Sequence, residues 1–228
     1  GLSTVTYLYS GAILHRDSLG CVQRIEPGAI NLMTAGRGIV HSERMPADIR
    51  AAQTAVHGIQ IWLALPAERD EMEPAFHHYP ADALPVFQAD GVSLRLLIGA
   101  AFGLESPVVS YSPTLQADLE LAQGATLELP PDYPERGIYL SEGRLMVDDS
   151  PMDGGLAVLE PGRTVRLTAR APSRLMLVGG APLDGKRFIY WNFVARTRER
   201  IDRAKADWAA GRFAPVPGET EFIPAPWR

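Results

Sequence analysis

Two stretches of this chain, 132 residues apart, carry the same landmarks in the same order. Tyr7-Leu8, Gly11, Asp17-Ser18 and Glu26-Pro27-Gly28 are answered by Tyr139-Leu140, Gly143, Asp149-Ser150 and Glu160-Pro161-Gly162. The offset is 132 through Ser18 and Ser150 and 134 at the Glu-Pro-Gly, a slip of two within one loop. Each copy reads as a strand, a tight glycine turn, a return strand, an Asx-type turn and a Pro-Gly turn. A repeated β-unit predicts two homologous β-barrels in tandem. The rest of the chain agrees. Short segments rich in Val, Ile, Leu, Thr and Tyr, such as Thr4–Tyr9, Ile30–Met33, Val92–Ile98, Leu115–Leu121 and Thr164–Leu167, alternate with turn signals. The 21 glycines and 19 prolines are spread among them rather than clustered.

Composition removes several classes of function. With 46% hydrophobic and 21% charged residues the chain has the balance of a folded protein with a core. No apolar run approaches the roughly 18 residues of a membrane helix, and the first residues lack the charged and apolar regions of a signal peptide. The single cysteine, Cys21, excludes a disulfide framework and a Cys-rich zinc site, which fits a cytoplasmic setting. Its nearest basic neighbour is Arg24, so a reactive thiol is not expected. The net charge of −5 divides into −9 for residues 1–185 and +4 beyond them, so the acidic body offers no nucleic-acid groove. Near the end, Val194, Ile201, Ala204 and Trp208 recur at spacings of 7, 3 and 4 among charged residues. That spacing predicts one amphipathic helix from Val194 to Trp208, breaking near Gly211 and packing on the barrels. Pro215 to Arg228 is proline-rich and reads as extended. The chain opens inside a strand and without an initiator methionine, as the interior of a longer protein would.

Of the five histidines, His41 has the most suggestive setting. It lies in Gly38-Ile39-Val40-His41-Ser42-Glu43. On extended backbone residues i and i+2 share a face, so His41 and Glu43 can both enter a barrel interior. An imidazole and a carboxylate are half of a site for iron, manganese or zinc. The bland alternative is an exposed pair on an edge strand. His15 lies in the return strand of the first copy, where the second copy has Val147. Counting 13 residues from Gly28 reaches His41, and the same count from Gly162 reaches Leu175, so the second copy is expected to be metal-free. His57 precedes an alternating strand and reads as a packing residue. His77-His78 lies in the acidic, proline-rich stretch from Pro66 to Asp90 and reads as surface.

Several runs resemble the pirin family, a branch of the cupin superfamily. They are Thr4-Val5-Thr6-Tyr7, His15-Arg16-Asp17-Ser18-Leu19-Gly20, His57-Gly58-Ile59-Gln60-Ile61-Trp62, Ser112-Pro113-Thr114-Leu115 and Trp191-Asn192-Phe193-Val194. Above all there is Met33-Thr34-Ala35-Gly36-Arg37-Gly38-Ile39-Val40-His41-Ser42-Glu43. The resemblance spans essentially the whole chain. It implies an all-β fold of two tandem cupin-type antiparallel barrels, a bicupin, with a C-terminal helix. The expected domains are residues 1–105, 106–190 and a tail of 191–228. It further implies one mononuclear iron (Fe2+) per chain, in the N-terminal barrel, held by three histidines and a glutamate. His41 and Glu43 match the second pair of those ligands. The first pair, a His-x-His, is expected upstream of residue 1. Leu32 stands where the family often has an aromatic residue. Two functions follow from the resemblance. One is a quercetin 2,3-dioxygenase acting on a flavonol-like small molecule or an unknown substrate, with Glu43 as ligand or base. The other is a non-enzymatic, metal-dependent regulator that binds transcription or metabolic proteins. Neither implies a membrane or nucleic-acid partner.

Overall fold

The structure, a computed structural model, describes residues 1–226. It divides the chain into two compact units. The first comprises Gly1–Ala81 together with the residues from Leu183 onward, and the second comprises Asp82–Pro182. The first unit begins with strands β1 (Leu2–Ser10), β2 (Ile13–Asp17), β3 (Val22–Ile25), β4 (Ile30–Thr34) and β5 (His41–Arg44). A single helical turn, α1 (Ala47–Ala51), leads to β6 (His57–Ala64) and β7 (Ala75–Tyr79). These strands form two antiparallel sheets in the orders β6-β1-β4-β7 and β3-β2-β5.

The second unit begins with β8 (Val86–Ala89), β9 (Val92–Ile98) and the two-residue ladder of β10 (Ala100–Ala101) with β11 (Leu104–Glu105). It continues with β12 (Thr114–Leu121), β13 (Thr126–Leu129), β14 (Glu135–Glu142), β15 (Leu145–Val147), β16 (Ser150–Met152), β17 (Gly155–Leu159), β18 (Val165–Ala169) and β19 (Ser173–Gly180). Its sheets run β17-β14-β19-β12-β9-β8 and β13-β18-β15-β16. The boundary expected at residue 105 therefore falls at Ala81. The reason is pairing: β9 ladders onto β12, with Leu119 opposite Leu94, so Val86–Ile98 belongs to the second sheet.

The repeat is real at the level of topology. Strands β1 to β6 and β14 to β19 follow one plan. β1 is flanked by β4 and β6 as β14 is by β17 and β19, and β2 is flanked by β3 and β5 as β15 is by β16 and β18. Gly11 and Gly143 turn the matching corners at φ +78° and +92°. A Cβ there would press on the Ala55 and Pro172 carbonyls respectively, so both corners require glycine. The last landmark does not correspond. Glu26-Pro27-Gly28 joins β3 to β4, whereas Glu160-Pro161-Gly162 joins β17 to β18. Leu175, thirteen residues beyond Gly162, is therefore not the counterpart of His41. Leu175 lies on β19, the counterpart of β6, where it faces Leu140.

The tail also differs from its reading. Phe188–Tyr190 (β20) and Phe193–Ala195 (β21) form a hairpin, so Val194 is a strand residue. The helix is α2 (Arg198–Ala209), and Thr197 caps it by accepting the Arg200 N–H at 3.1 Å. Ile201 and Ala204 are buried. Trp208 is only half-buried, in an aromatic cluster of the tail itself, with ring centroids of Trp191, Phe213 and Phe222 at 5.4, 5.6 and 5.1 Å. Its Nε1–H donates to the Ile223 carbonyl at 3.0 Å. The stretch read as extended is described as far as Pro226; Trp227 and Arg228 lie outside the described residues. Among the described residues no helix is long and apolar enough to cross a membrane.

Candidate metal centre

Residues opposite one another across an antiparallel pair share a face. Thr6 lies opposite Asn31 on β4 and Gln60 on β6, while His15 lies opposite Glu43 and Asp17 opposite His41. Glu43 accepts hydrogen bonds from Thr6 and Gln60, so these faces of the two sheets look at each other. Thr6, His15, Asn31, His41, Glu43 and Gln60 therefore share one inward face, with Thr6, His15 and Asn31 buried, His41 half-buried, and Glu43 and Gln60 exposed where β5 and β6 end their sheets. The same topological positions in the second unit are Ile138, Val147, Ala157, Val165, Leu167 and Leu177. All six are apolar and belong to, or pack on, the core of that barrel. The same strand plan thus closes around an oily interior in one unit and a polar one in the other. Burial of polar groups is costly unless they are paired, so the scaffold does not require the polarity of the first interior.

The loop before β5 sets the two candidate ligands. Gly36 has φ +49°, and a Cβ there would run into the Met72 carbonyl. The Ala35 N–H donates to Leu2 O and the Gly38 N–H to Ala35 O, both at 2.8 Å. The Val40 N–H donates to Ser18 Oγ at 3.2 Å. The alternation expected of His41 and Glu43 is present. His41 is half-buried, and burial pushes its imidazole pKa below the ordinary 6.5. Glu43 and Asp17 oppose that shift and His15 adds to it. The imidazole is therefore neutral at pH 7, the form that ligates metals. The Gln60 Nε2–H donates to both Glu43 oxygens at 3.2 and 3.1 Å, and the Thr6 hydroxyl to Oε1 at 3.4 Å. Among the described residues no cation pairs with Glu43. Arg44, on the other face of the strand, goes to Glu219 and Glu221.

His15 is 1% exposed and stacks between Phe76, at 4.3 Å, and His41, at 5.8 Å between centroids. Its Nε2 meets Asp17 Oδ2 at 3.1 Å. The other Asp17 oxygen accepts the Leu19 and Cys21 N–H groups at 2.9 and 3.0 Å. The Asx-type turn signal at Asp17 was the visible half of this arrangement; the histidine partner was not visible. His57 is exposed and packs edge-on to Tyr9 at 5.0 Å, as expected of a packing residue. His78 is a correction. Both histidines of the pair lie on β7; His77 is exposed as expected, but half-buried His78 meets Asn31 Oδ1 through Nδ1 at 2.7 Å. Ladder pairing with β4 outweighs the proline-rich surroundings. The Cys21 thiol pKa is raised by burial and by Asp17, which leaves it protonated.

A neutral imidazole and a carboxylate free of cations, on one strand face, are donors of the kind that hold iron, manganese or zinc. They are two donors. Among the described residues no three His, Cys, Asp or Glu side chains come together as a metal-binding group. The residues present fit one side of a metal site.

Comparison with known proteins gives a consistent picture. The family description "Pirin" matches residues 1–63, and "Pirin C-terminal cupin domain" matches residues 116–214. A pirin-like protein of Caulobacter vibrioides is 46% identical over 229 residues, covering 99% of this chain and 79% of its own. Pirin of Rattus norvegicus is 34% identical, covering 91% and 73%. A crystal structure described as quercetin 2,3-dioxygenase from Acinetobacter baumannii superposes with a TM-score of 0.90 at 34% identity, covering all of this chain and 76% of that one.

Proposed function

The chain belongs to the pirin family, and from that footing we propose that its first barrel is an iron-dependent oxygenase site for a flavonol-like small molecule. The observation that carries this reading is the contrast between the two interiors. Six positions that are apolar in the second barrel hold Thr6, His15, Asn31, His41, Glu43 and Gln60 in the first. His41 and Glu43 would hold the iron, with two further histidines expected from a segment ahead of Gly1. Bound there, the iron would supply the open coordination positions and redox chemistry that O2 reactions need.

The chain's own residues do the rest. Burial keeps His41 neutral and ready to ligate. His15, wedged by Phe76 and tied to Asp17, limits the rotation of the His41 ring. Gln60 and Thr6 hold the Glu43 carboxylate against the inner faces of β6 and β1. From there Glu43 can accept the proton of a flavonol hydroxyl, a task in which a positioned base contributes about 10²–10⁴-fold. The name quercetin 2,3-dioxygenase on a structural relative supports the substrate class.

The test is quercetin consumption and oxygen uptake by protein carrying a His-x-His segment ahead of Gly1 and loaded with Fe2+. Turnover is expected, with E43Q at least about 100-fold slower. No turnover by the loaded protein, or an E43Q variant as fast as the parent, would overturn the reading.

A further inference from the structure

Asn31 is 3% exposed and sits in the middle of β4 on the inner face of the first barrel. Its Oδ1 is taken by His78 Nδ1 at 2.7 Å, but its Nδ2 meets no acceptor among the described residues. A buried donor without a partner is uncommon in folded proteins and asks for an explanation. The fold does not impose it, because the same position in the second barrel is Ala157.

The unmet atom is Nδ2. His78 has its pKa lowered by burial, so its ring is neutral at pH 7. With Oδ1 facing His78 Nδ1 at 2.7 Å, the contact is a hydrogen bond in the Nδ1–H tautomer, and both Nδ2 hydrogens are then left for something else. The surroundings limit what that can be. Thr6 and Gln60 lie to one side and His78 to the other, with Met33, Phe76 and the exposed Trp62 at the next positions along the same face. These inner residues include no lysine or arginine, and Glu43 and Asp17 stand across the barrel. A carboxylate or phosphate would meet like charge. An uncharged oxygen on a flat, apolar body would not.

We propose that Asn31 is a ligand-binding residue whose Nδ2 donates to a ring carbonyl oxygen of a planar aromatic ligand in the first barrel. This rests on the reading that the barrel takes a flavonol-like molecule, and it names the group that recognises the ligand's carbonyl. Flavonols carry such a carbonyl beside a hydroxyl. A donor at Asn31 and a base at Glu43 then read different oxygens from opposite sheets.

The experiment is equilibrium dialysis of quercetin against Fe2+-loaded protein carrying the His-x-His segment ahead of Gly1 and against its N31L and N31D variants, with thermal unfolding recorded for each. Leucine keeps the branched shape of asparagine and removes the donor, and about tenfold weaker binding is expected for the loss of one hydrogen bond. Aspartate sets a carboxylate oxygen against the carbonyl, so N31D is expected to bind more weakly still. Should one variant fold poorly, the other carries the comparison. Parent and N31L binding quercetin equally well would overturn this inference alone. N31D binding more tightly than the parent would also overturn it, since the ligand would then be donating. No binding by the parent would overturn it together with the flavonol reading.

Discussion

His41 and Glu43 stand two residues apart on a four-residue strand, and strand alternation turns both side chains to one side. That much was legible in the sequence, because the argument needs only the period of a strand. Thr6, Gln60 and Asn31 were not legible as site residues. They reach the same interior through cross-strand register, which a single sequence does not specify. The pKa of His41 makes a residue-scale prediction. Folding lowers it below 6.5, chiefly through burial, so the unfolded chain takes up the proton first. The contribution of His41 is then undiminished above pH 6.5 and is lost as the pH falls below it. In urea unfolding without metal, the H41N variant is expected to lose less stability than the parent between pH 7 and 5. Parallel profiles would show that the ring is not desolvated.

At the scale of elements, β5 differs from its counterpart in one respect. In the second unit β18 ladders onto β13 and β19 onto β12, whereas β5 and β6 stand at the ends of their sheets. Among the described residues no strand pairs with the outer edge of β5. The segment after α2 instead engages its side chains, with Glu219 accepting from Ser42 Oγ at 2.8 Å and from Arg44. The helix itself was legible from apolar spacing, but its start was not. A seven-residue gap from Val194 to Ile201 fits a helix, and it fits equally a strand followed by a helix. Thr197, a good N-cap three residues before Arg200, is the residue that sets the start. Trp208 then belongs to an aromatic cluster rather than to a buried helix seam. Trp208→Ala is expected to cost about 2 kcal/mol by urea unfolding, below the ~3–5 kcal/mol of a fully buried tryptophan. A loss of 4 kcal/mol or more would mean that the helix depends on it far more than its half-burial implies.

For the whole molecule, the repeat gave two barrels of one design, and the Gly11 and Gly143 corners carried that lesson correctly. The unit boundary was not legible, because β8 and β9 look like any other strands until their pairing is known. The division of labour is the larger consequence. The second barrel has an apolar interior in which Leu167 is wholly buried, while the matching Glu43 looks out past the open edge of β5. Leu167→Glu is therefore expected to destabilise the second unit by about 3–5 kcal/mol, since the carboxylate would have no partner. The variant is not expected to bind metal there, because Val165 supplies no donor beside it. A Leu167→Glu protein with unchanged urea stability would undo the comparison of the two interiors.

Everything proposed for the first barrel depends on His41 and Glu43 binding iron there. Elemental analysis of purified protein measures this directly. It would compare this 228-residue chain with one extended by a segment carrying His-x-His ahead of Gly1, each with and without H41A. The extended chain is expected to hold one iron and to lose it in H41A, while the shorter chain loses its iron on dialysis. Tight, stoichiometric iron that survives H41A, in either chain, would contradict the account.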